Sequence, residues 1–239
     1  MSKVKREIKR LFTRKQPKQL VAHAPVEEIE IADAPFDSVP FAELSLQKLC
    51  RDYTFDSVVD IGSGAGMHSA VFRDQGKNVT AVDFGSSVYF DRREADYTYV
   101  RGDFMTLDFE RKFDCAWASH VLEHQPNPGA FINRMMEIVV TDGVIAITVP
   151  PLKHEIVGGH LSLWNAGLLL YQLVFAGLDC RDAAVRSWGY NVSVIAFNRR
   201  RPHVDLDYDS GDVERLKEFF PFKVQEGFDG RIEKANWCL

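Results

Sequence analysis

The 239-residue chain has no long hydrophobic run, so we expect no membrane-spanning helix. A helix needs about 18 to 20 consecutive apolar residues to cross a bilayer. The longest candidate, residues 167–178, contains the polar side chains of Tyr171 and Gln172. The N-terminus also lacks the apolar core and small-residue cleavage site of a secretory signal. We therefore expect a cytoplasmic protein.

Cysteine is also scarce. The four cysteines, Cys50, Cys115, Cys180 and Cys238, are widely separated, and no two of them form a C-x-x-C pair. A disulfide scaffold or a cysteine-based zinc site would need closer, paired spacing. We therefore expect free thiols in a reducing compartment.

Basic residues are concentrated at the N-terminus. Residues 1–18 hold eight Lys or Arg against one Glu, a local charge of +7, so the total of −5 leaves −12 for the rest of the chain. An acidic body lacks the clustered cations that nucleic-acid phosphates require. We therefore do not expect a nucleic acid as partner.

The basic leader has apolar residues at helical spacing, namely Val4, Ile8 and Leu11. Such a helix would be amphipathic and cationic, and could lie on the inner face of an anionic membrane. The alternative is a solvated tail, which we favour because an isolated helix this short is marginally stable in water. Peripheral membrane contact through residues 1–18 is thus a hypothesis.

The chain divides into three parts by composition. Residues 16–40 contain four prolines and an acidic patch, which is typical of a linker or of a strap over a domain. We predict a basic leader and Pro-rich linker over residues 1–40, a folded domain over 41–200 and a C-terminal extension over 201–239.

Helical and strand patterns alternate through the central part. We predict helices over 41–53, 67–75, 127–139, 163–175 and 213–220, and strands over 57–61, 78–82, 97–101, 113–118, 144–149, 183–187 and 192–197, with a turn at 141–143. This order predicts an α/β protein with a Rossmann-like three-layer sandwich. Its mostly parallel seven-stranded sheet would end in an antiparallel C-terminal hairpin.

A glycine-rich loop, D-I-G-S-G-A-G at residues 60–66, follows the first buried strand. Glycines there let the backbone approach a ligand closely, and the next helix presents free amides at its N-terminus. A dinucleotide fingerprint has the spacing G-x-G-x-x-G, but Met67 stands where its last glycine or alanine belongs. The spacing therefore disfavours a nicotinamide dehydrogenase.

Two further acids stand at strand ends. Asp83 closes the second strand, where a carboxylate can accept from both hydroxyls of a ribose. Asp103 follows the third strand, where it can accept from an adenine amino group while Phe104 flanks the ring. Each acid alone could instead be a helix cap or a loop acid, but their order after the glycine loop favours a nucleoside site.

Five segments together resemble the class I S-adenosylmethionine-dependent methyltransferases. They are V-V-D-I-G-S-G-A-G, V-T-A-V-D, G-D-F, F-D-C-A-W-A-S-H-V-L-E-H and D-G-V-I-A-I-T-V-P, and they occur in the family's order over about residues 57–198. The L-E-H-x-x-x-P segment, and G-G-H followed by an apolar helix, are most similar to the branch that modifies small molecules and bacterial surface glycans.

The resemblance implies S-adenosylmethionine as cofactor and gives roles to the residues at its edge. It implies that Gly62, Gly64 and Gly66 lie against the methionine part, that Asp60 holds the loop and the amino group, that Asp83 binds the ribose and that Asp103 binds the adenine. The predicted cofactor-binding set is Asp60, Gly62, Ser63, Gly64, Gly66, Asp83, Phe84, Asp103, Phe104 and Ser119.

The acceptor chemistry is indicated by the segment after the fourth strand. An N-P-P-Y motif, typical of base-amine methyltransferases, is replaced by A-S-H-V-L-E-H. A hydroxyl acceptor needs a base, and histidine suits that task near neutral pH. We predict His124, His120 and His160 as the catalytic candidates. The alternative for His124 is a structural hydrogen bond that pins its loop.

The same segment also allows a metal hypothesis. His120, Glu123, His124 and the later His160 resemble the E-x-x-E-H plus distant histidine of metal-dependent O-methyltransferases, with a histidine replacing the first glutamate. Such a set suits a divalent transition metal better than magnesium. We favour the base over the metal. Four aromatic residues could roof an acceptor pocket or belong to the core, which we favour: Trp164, Tyr171, Phe175 and Trp188.

The sequence thus predicts an S-adenosylmethionine-dependent methyltransferase acting on an oxygen of a sugar, a surface glycan precursor or a related small metabolite. One alternative is an RNA 2'-O-methyltransferase, motivated by the histidine and glutamate cluster and the basic leader. Another is a non-catalytic cofactor-binding module of the same fold. The sequence does not predict the oligomeric state.

Overall fold

The computed structural model describes residues 31–86, 90 and 97–238. The basic leader lies outside these residues, so its contact with a membrane stays a prediction. Within the described part of the chain, no helix is long and apolar enough to span a bilayer.

Helices and strands alternate as the sequence predicts. The helices are α1 Glu43–Asp52, α2 Met67–Asp74, α3 Pro128–Ile138, α4 Ala166–Phe175 and α5 Asp212–Leu216. The strands are β1 Ser57–Ile61, β2 Asn78–Asp83, β3 Thr98–Arg101, β4 Phe113–Ser119, β5 Val139–Val149, β6 Ala184–Trp188, β7 Asn191–Phe197 and β8 Lys234–Ala235. Short 3-10 turns cover Phe36–Ser38, Leu122–His124 and Lys217–Phe219.

The strands form one sheet in the order β3-β2-β1-β4-β5-β7-β6-β8. The first five strands pair in parallel, whereas β7 runs antiparallel to β5 and β6. The predicted Rossmann-like sheet with an antiparallel C-terminal hairpin is therefore confirmed. The predicted count of seven strands is wrong by one, because β8 adds to the edge beside β6.

Two hydrophobic cores lie on opposite faces of this sheet. Neighbouring strand residues alternate between them, with Val58 in one core and Val59 in the other. Helices α1 and α2 supply Leu49 and Phe72 to the core that contains Val58. Helix α3 supplies Phe131 to the core that contains Val59. This arrangement is the three-layer sandwich that the alternation of helices and strands predicts.

The folded unit extends beyond the predicted domain limits of 41 and 200. Ala32, Phe36 and Val39 are buried in the core beside α1, so residues 31–40 are a packed strap. In the predicted extension 201–239, Phe220 and Trp237 are buried as well. These two segments belong to the domain because their apolar side chains complete its cores.

The predicted turn at residues 141–143 is also wrong. These residues continue β5, and the register against β4 shifts between Phe113 and Cys115. Asp142 has a positive φ of 61° at this irregularity. A bulge needs the same residue types as a turn, so the sequence alone did not distinguish the two.

Candidate functional site

The glycine loop folds back onto the end of β2. The amides of Gly62 and Ser63 both donate to the Val82 carbonyl, at 2.8 and 3.1 Å, and the Gly66 amide donates to Ser63 at 2.8 Å. Gly62, Gly64 and Gly66 have φ values of 71°, 53° and 78°. Side chains disfavour this left-handed region, so the loop conformation depends on its glycines.

Neighbouring side chains press against two of these glycines. A Cβ at Gly62 would lie 2.4 Å from Cγ2 of Val121, and one at Gly66 would lie 1.5 Å from the Tyr97 hydroxyl. The loop is therefore in direct contact with the segment that follows β4. This contact joins the predicted cofactor loop to the predicted histidine cluster.

Asp60 is buried at the end of β1, where it holds the following helix. Its Oδ2 accepts a hydrogen bond from the Ser69 hydroxyl at 2.5 Å. Burial raises the pKa of Asp60 to about 7, with the nearby Asp83 carboxylate adding to the effect. The contact is thus with α2 rather than with the loop amides.

Asp83 organises the end of β2. Its Oδ2 accepts from the Gly64 amide at 2.9 Å, and its Oδ1 accepts from the Gly85 amide at 2.7 Å. Each carboxylate oxygen keeps a further lone pair for a ligand hydroxyl. The next residue, Phe84, is 57% exposed and presents an open ring face.

Asp103 and Phe104, which follow β3, differ in their exposure to solvent. Asp103 is half-buried, and its Oδ1 accepts from the Met105 amide at 2.9 Å. Phe104 is buried, with its ring centroid 5.2 Å from that of Phe131. Asp103 is therefore near the sheet edge with one oxygen already engaged, whereas Phe104 belongs to the core and is not brought to the edge.

At the end of β4, Ser119 is half-buried and His120 turns the chain out of the sheet. His120 has a positive φ of 55°, and its amide still donates to Thr148 of β5 at 2.8 Å. Its ring lies 4.6 Å from Phe41 and is stacked on Tyr190 at 5.7 Å, as centroid distances. His120 is thereby clamped between two aromatic rings.

Asn191 fixes which nitrogen of the His120 ring carries a hydrogen. Its Oδ1 accepts from the Ala42 amide at 3.1 Å and lies 3.0 Å from Nε2 of His120. Because this oxygen can only accept, Nε2 of His120 must carry the hydrogen. The sequence did not indicate Asn191, Phe41 or Tyr190, since they come from distant segments of the chain.

Glu123 lies at the centre of the histidines. Its side chain is 1% exposed, and its Oε1 is 3.5 Å from Nδ1 of His120 and 3.7 Å from Nε2 of His124. Within the described residues, neither carboxylate oxygen has a hydrogen-bond partner. A buried carboxylate is unfavourable unless a positive charge balances it.

His124 and His160 close the cluster on its outer side. Nδ1 of His124 donates to the Gly159 carbonyl at 2.8 Å, and the two imidazole centroids are 4.9 Å apart. The Leu161 amide donates to the Glu123 carbonyl at 2.7 Å and ties the His160 loop to the turn. Burial lowers the pKa of His160, which favours its neutral form.

Three of the four predicted metal candidates come together. The ligand atoms of Glu123, His124 and His160 lie within 4.8 Å of one another. His120 is not part of this group, although its Nδ1 lies 3.5 Å from Oε1 of Glu123. Among the predicted aromatic residues, Trp164 is buried, and Trp188 donates to Glu43 at 2.6 Å.

A model of the methyltransferase domain family matches residues 2–199 of the chain. Curated relatives include the ubiquinone biosynthesis O-methyltransferases of Stutzerimonas stutzeri, 28% identical over 96 residues, and of Rickettsia conorii, 25% identical over 112 residues. The first match covers 37% of this chain and 41% of the relative, and the second covers 44% and 39%. The matched segments thus span less than half of these relatives.

Solved structures share the fold at low identity. The 1,6-didemethyltoxoflavin-N1-methyltransferase of Burkholderia thailandensis, with bound S-adenosylhomocysteine, is 21% identical with a TM-score of 0.54, over 66% of this chain and 77% of that one. The sugar N-methyltransferase KedS8 of Streptoalloteichus is 13% identical with a TM-score of 0.52, over 66% and 85%.

The resemblance suggested by the five sequence segments is therefore confirmed at the level of family and fold. Because the family model spans most of its residues, this chain belongs to the methyltransferase domain family.

Proposed function

We propose that the protein methylates a hydroxyl of a small molecule, with a sugar, a glycan precursor or a related metabolite as acceptor. The observation that carries this proposal is the buried Glu123 carboxylate, which lies among imidazoles beside the glycine loop. Methylation of a hydroxyl requires removal of its proton, and an imidazole supported by a carboxylate is suited to this. The curated relatives carry the name O-methyltransferase, which also favours an oxygen acceptor.

The cofactor is assigned to the edge formed by the glycine loop and β2. The buried hydroxyl of Ser63 has no hydrogen-bond partner within the described residues, and a polar ligand group would satisfy it. Asp83 would accept from the ribose hydroxyls, and the exposed ring of Phe84 would cover the adenine. When bound, S-adenosylmethionine supplies a methyl group on a sulfonium whose leaving group departs neutral.

His124 is the histidine best placed to take the hydroxyl proton. Its Nδ1 donates to Gly159, so in the neutral ring its Nε2 has a free lone pair, and its side chain is 44% exposed. The Glu123 carboxylate at 3.7 Å would stabilise the imidazolium that forms. His120 is less suited, since its side chain is only 14% exposed and its ring lies between those of Phe41 and Tyr190.

An aromatic surface beside His120 supports a sugar acceptor. Phe41 is 49% exposed and lies 6.3 Å from Tyr190. The ammonium of Lys153 lies 4.3 Å above the Tyr190 ring. The apolar face of a sugar ring can stack on such aromatic faces, and a cation beside them suits the phosphate of an activated sugar.

Exposed apolar side chains favour a second acceptor class, a hydroxyl on an apolar molecule. Leu152, Ile156 and Leu161 are 53%, 87% and 63% exposed on the segment between β5 and α4. His160 belongs to the same segment and faces the cluster. Large exposed apolar side chains grouped on one segment beside the cluster favour a binding surface for an apolar acceptor.

Both acceptor classes, the sugar and the apolar molecule, can be tested by transfer of labelled methyl groups from S-adenosylmethionine to separate acceptor pools. One pool holds nucleotide sugars and lipid-linked oligosaccharides, the second holds phenolic hydroxyls on apolar molecules, and the third holds RNA. Labelling of the first pool, lost in His124→Gln and kept in His154→Gln, is the expected result. Labelling of RNA alone, or of no pool at all, would contradict the proposed acceptor class.

A further inference from the structure

We infer that Glu123, His124 and His160 bind a divalent transition-metal ion. The site is separate from the residues assigned to S-adenosylmethionine, and its metal binding can be measured without any acceptor. The inference therefore goes beyond the proposed hydroxyl methylation and does not depend on it.

The strongest support is the state of the Glu123 carboxylate. Its side chain is 1% exposed, and within the described residues neither of its oxygens accepts a hydrogen bond. Buried polar atoms in folded proteins almost always have partners, and a buried charge requires one. A carboxylate without hydrogen-bond partners, whose Oε1 lies 3.5 and 3.7 Å from two imidazole nitrogens, is the arrangement that a bound cation would complete.

The orientation of His124 gives a second, independent indication. Because Nδ1 donates to the Gly159 carbonyl at 2.8 Å, the neutral ring turns the lone pair of Nε2 towards Oε1 of Glu123, 3.7 Å away. Two lone-pair atoms that face each other need a positive charge between them. A backbone carbonyl that fixes one nitrogen of a ligand histidine is the usual support around a metal.

His160 supplies a third donor atom within 4.8 Å of the other two. Ligands at about 2.1 Å from a tetrahedral ion lie about 3.4 Å apart, so the Glu123 and His124 atoms are close to that spacing. His160 would have to approach further, and Gly158, two residues before it, has nothing within 4 Å of an added Cβ, which leaves room for this adjustment. The backbone bond from Leu161 to Glu123 keeps the loop in place.

The donor set determines the class of ion. Two imidazoles and one carboxylate favour zinc, cobalt, iron or manganese over magnesium, which prefers oxygen ligands and water. Three protein ligands leave at least one coordination position open for a small oxygen ligand. The base role proposed for His124 would then belong to the metal-free protein, because in the metal-bound protein its Nε2 would hold the ion.

The test uses the full chain, stripped of metal with a chelator and titrated with Co²⁺ in the absence of S-adenosylmethionine and acceptor. We expect one saturable ion per chain, with the visible absorption of cobalt held by nitrogen ligands. Glu123→Gln, His124→Gln and His160→Gln should each weaken binding at least tenfold. His154→Gln, an exposed histidine of the same segment, should bind like the wild type.

Unfolding temperatures of the metal-free proteins distinguish a metal site from an ion pair between Glu123 and its histidines. If Glu123 awaits a cation, Glu123→Gln should unfold at or above the wild-type temperature without metal, and Zn²⁺ should raise only the wild-type midpoint. A lower midpoint for metal-free Glu123→Gln, combined with unchanged Co²⁺ binding, would overturn the inference. So would the absence of a saturable site in the wild type, whatever the outcome of the acceptor assays.

Discussion

Asn191 holds His120 through a 3.0 Å contact between its Oδ1 and the Nε2 of the imidazole. The same oxygen accepts from the Ala42 amide, so one side chain joins the hairpin strand β7, the loop after β4 and the start of α1. His120 keeps a positive φ of 55° at this junction. Since such a conformation is unfavourable for histidine, it depends on the contacts that hold the ring.

Replacing Asn191 with alanine should therefore lower stability and methyl transfer together. The substitution leaves the buried Ala42 amide and the His120 ring without their acceptor, which costs about 1 to 3 kcal/mol of unfolding free energy. Denaturant unfolding would measure this loss, and Asn133→Ala on the exposed face of α3 is the control. An unchanged unfolding free energy would show that the Asn191 contacts do not support the junction.

Gly62→Ala should weaken cofactor binding. The added methyl would lie 2.4 Å from Cγ2 of Val121, and the φ of 71° disfavours any side chain. We expect the affinity for S-adenosylhomocysteine, measured by calorimetry, to fall at least tenfold, which is about 1.4 kcal/mol.

Gly76→Ala is the matched control, because Gly76 has a φ of 76° but nothing within 4 Å of its added methyl. It carries the same backbone strain without the collision and should bind the cofactor like the wild type. The double variant Gly62→Ala with Val121→Ala should recover part of the affinity. If the double variant binds no better than Gly62→Ala, contact with Val121 is not the cause of the loss.

Asp83→Asn should weaken cofactor binding through two effects. Asparagine has one acceptor oxygen in place of two, so one of the bonds from Gly64 and Gly85 is lost. The asparagine side chain also has one acceptor oxygen fewer for the hydroxyls of a ligand. We expect an affinity loss of tenfold or more in calorimetry, whereas the exposed Asp74→Asn should leave affinity unchanged. Equal affinities of the two variants would remove Asp83 from the cofactor site.

Much of this arrangement follows from local sequence. Strand β1, Ser57–Ile61, was predicted with its observed bounds, because a fully buried apolar run ends at a glycine turn. Asp83 and the glycine loop were expected at one edge, since parallel strands bring their carboxyl ends together. The structure places both there, with the Gly64 amide bonded to Asp83.

The remainder depends on contacts that no local pattern encodes. The two-residue strand β8 exists because residues 234 and 235 pair with β6, and Trp237 is buried beside it. Asn191 and Ala42 are separated by 149 positions and meet only once the hairpin has joined β5. Phe104 was predicted beside the ligand because it follows Asp103, and its burial against Phe131 is a contact between distant segments of the chain.

The buried carboxyl of Asp60 should make stability fall as pH rises. Its pKa is about 7 in the folded protein against 3.8 as the ordinary value, so between these pH values the folded state binds more protons than the unfolded chain. The stabilising contribution is therefore complete below pH 4 and lost as pH approaches 7. The Asp114 carboxyl has the opposite effect on the pH dependence of stability. Hydrogen bonds from Ser57 lower its pKa, so its stabilising contribution is lost as the solution becomes acidic.

Comparing wild type with Asp60→Asn isolates the Asp60 effect from Asp114 and all other groups. Asparagine can still accept from Ser69 but does not titrate, so the variant should gain stability relative to wild type as pH rises from about 4 to about 7. The full difference is at most roughly 4 kcal/mol, at about 1.4 kcal/mol per pKa unit. Denaturant unfolding of both proteins across this range gives the difference directly. Parallel curves would mean that Asp60 titrates alike in both states, and that the bond from Ser69 compensates its burial in full.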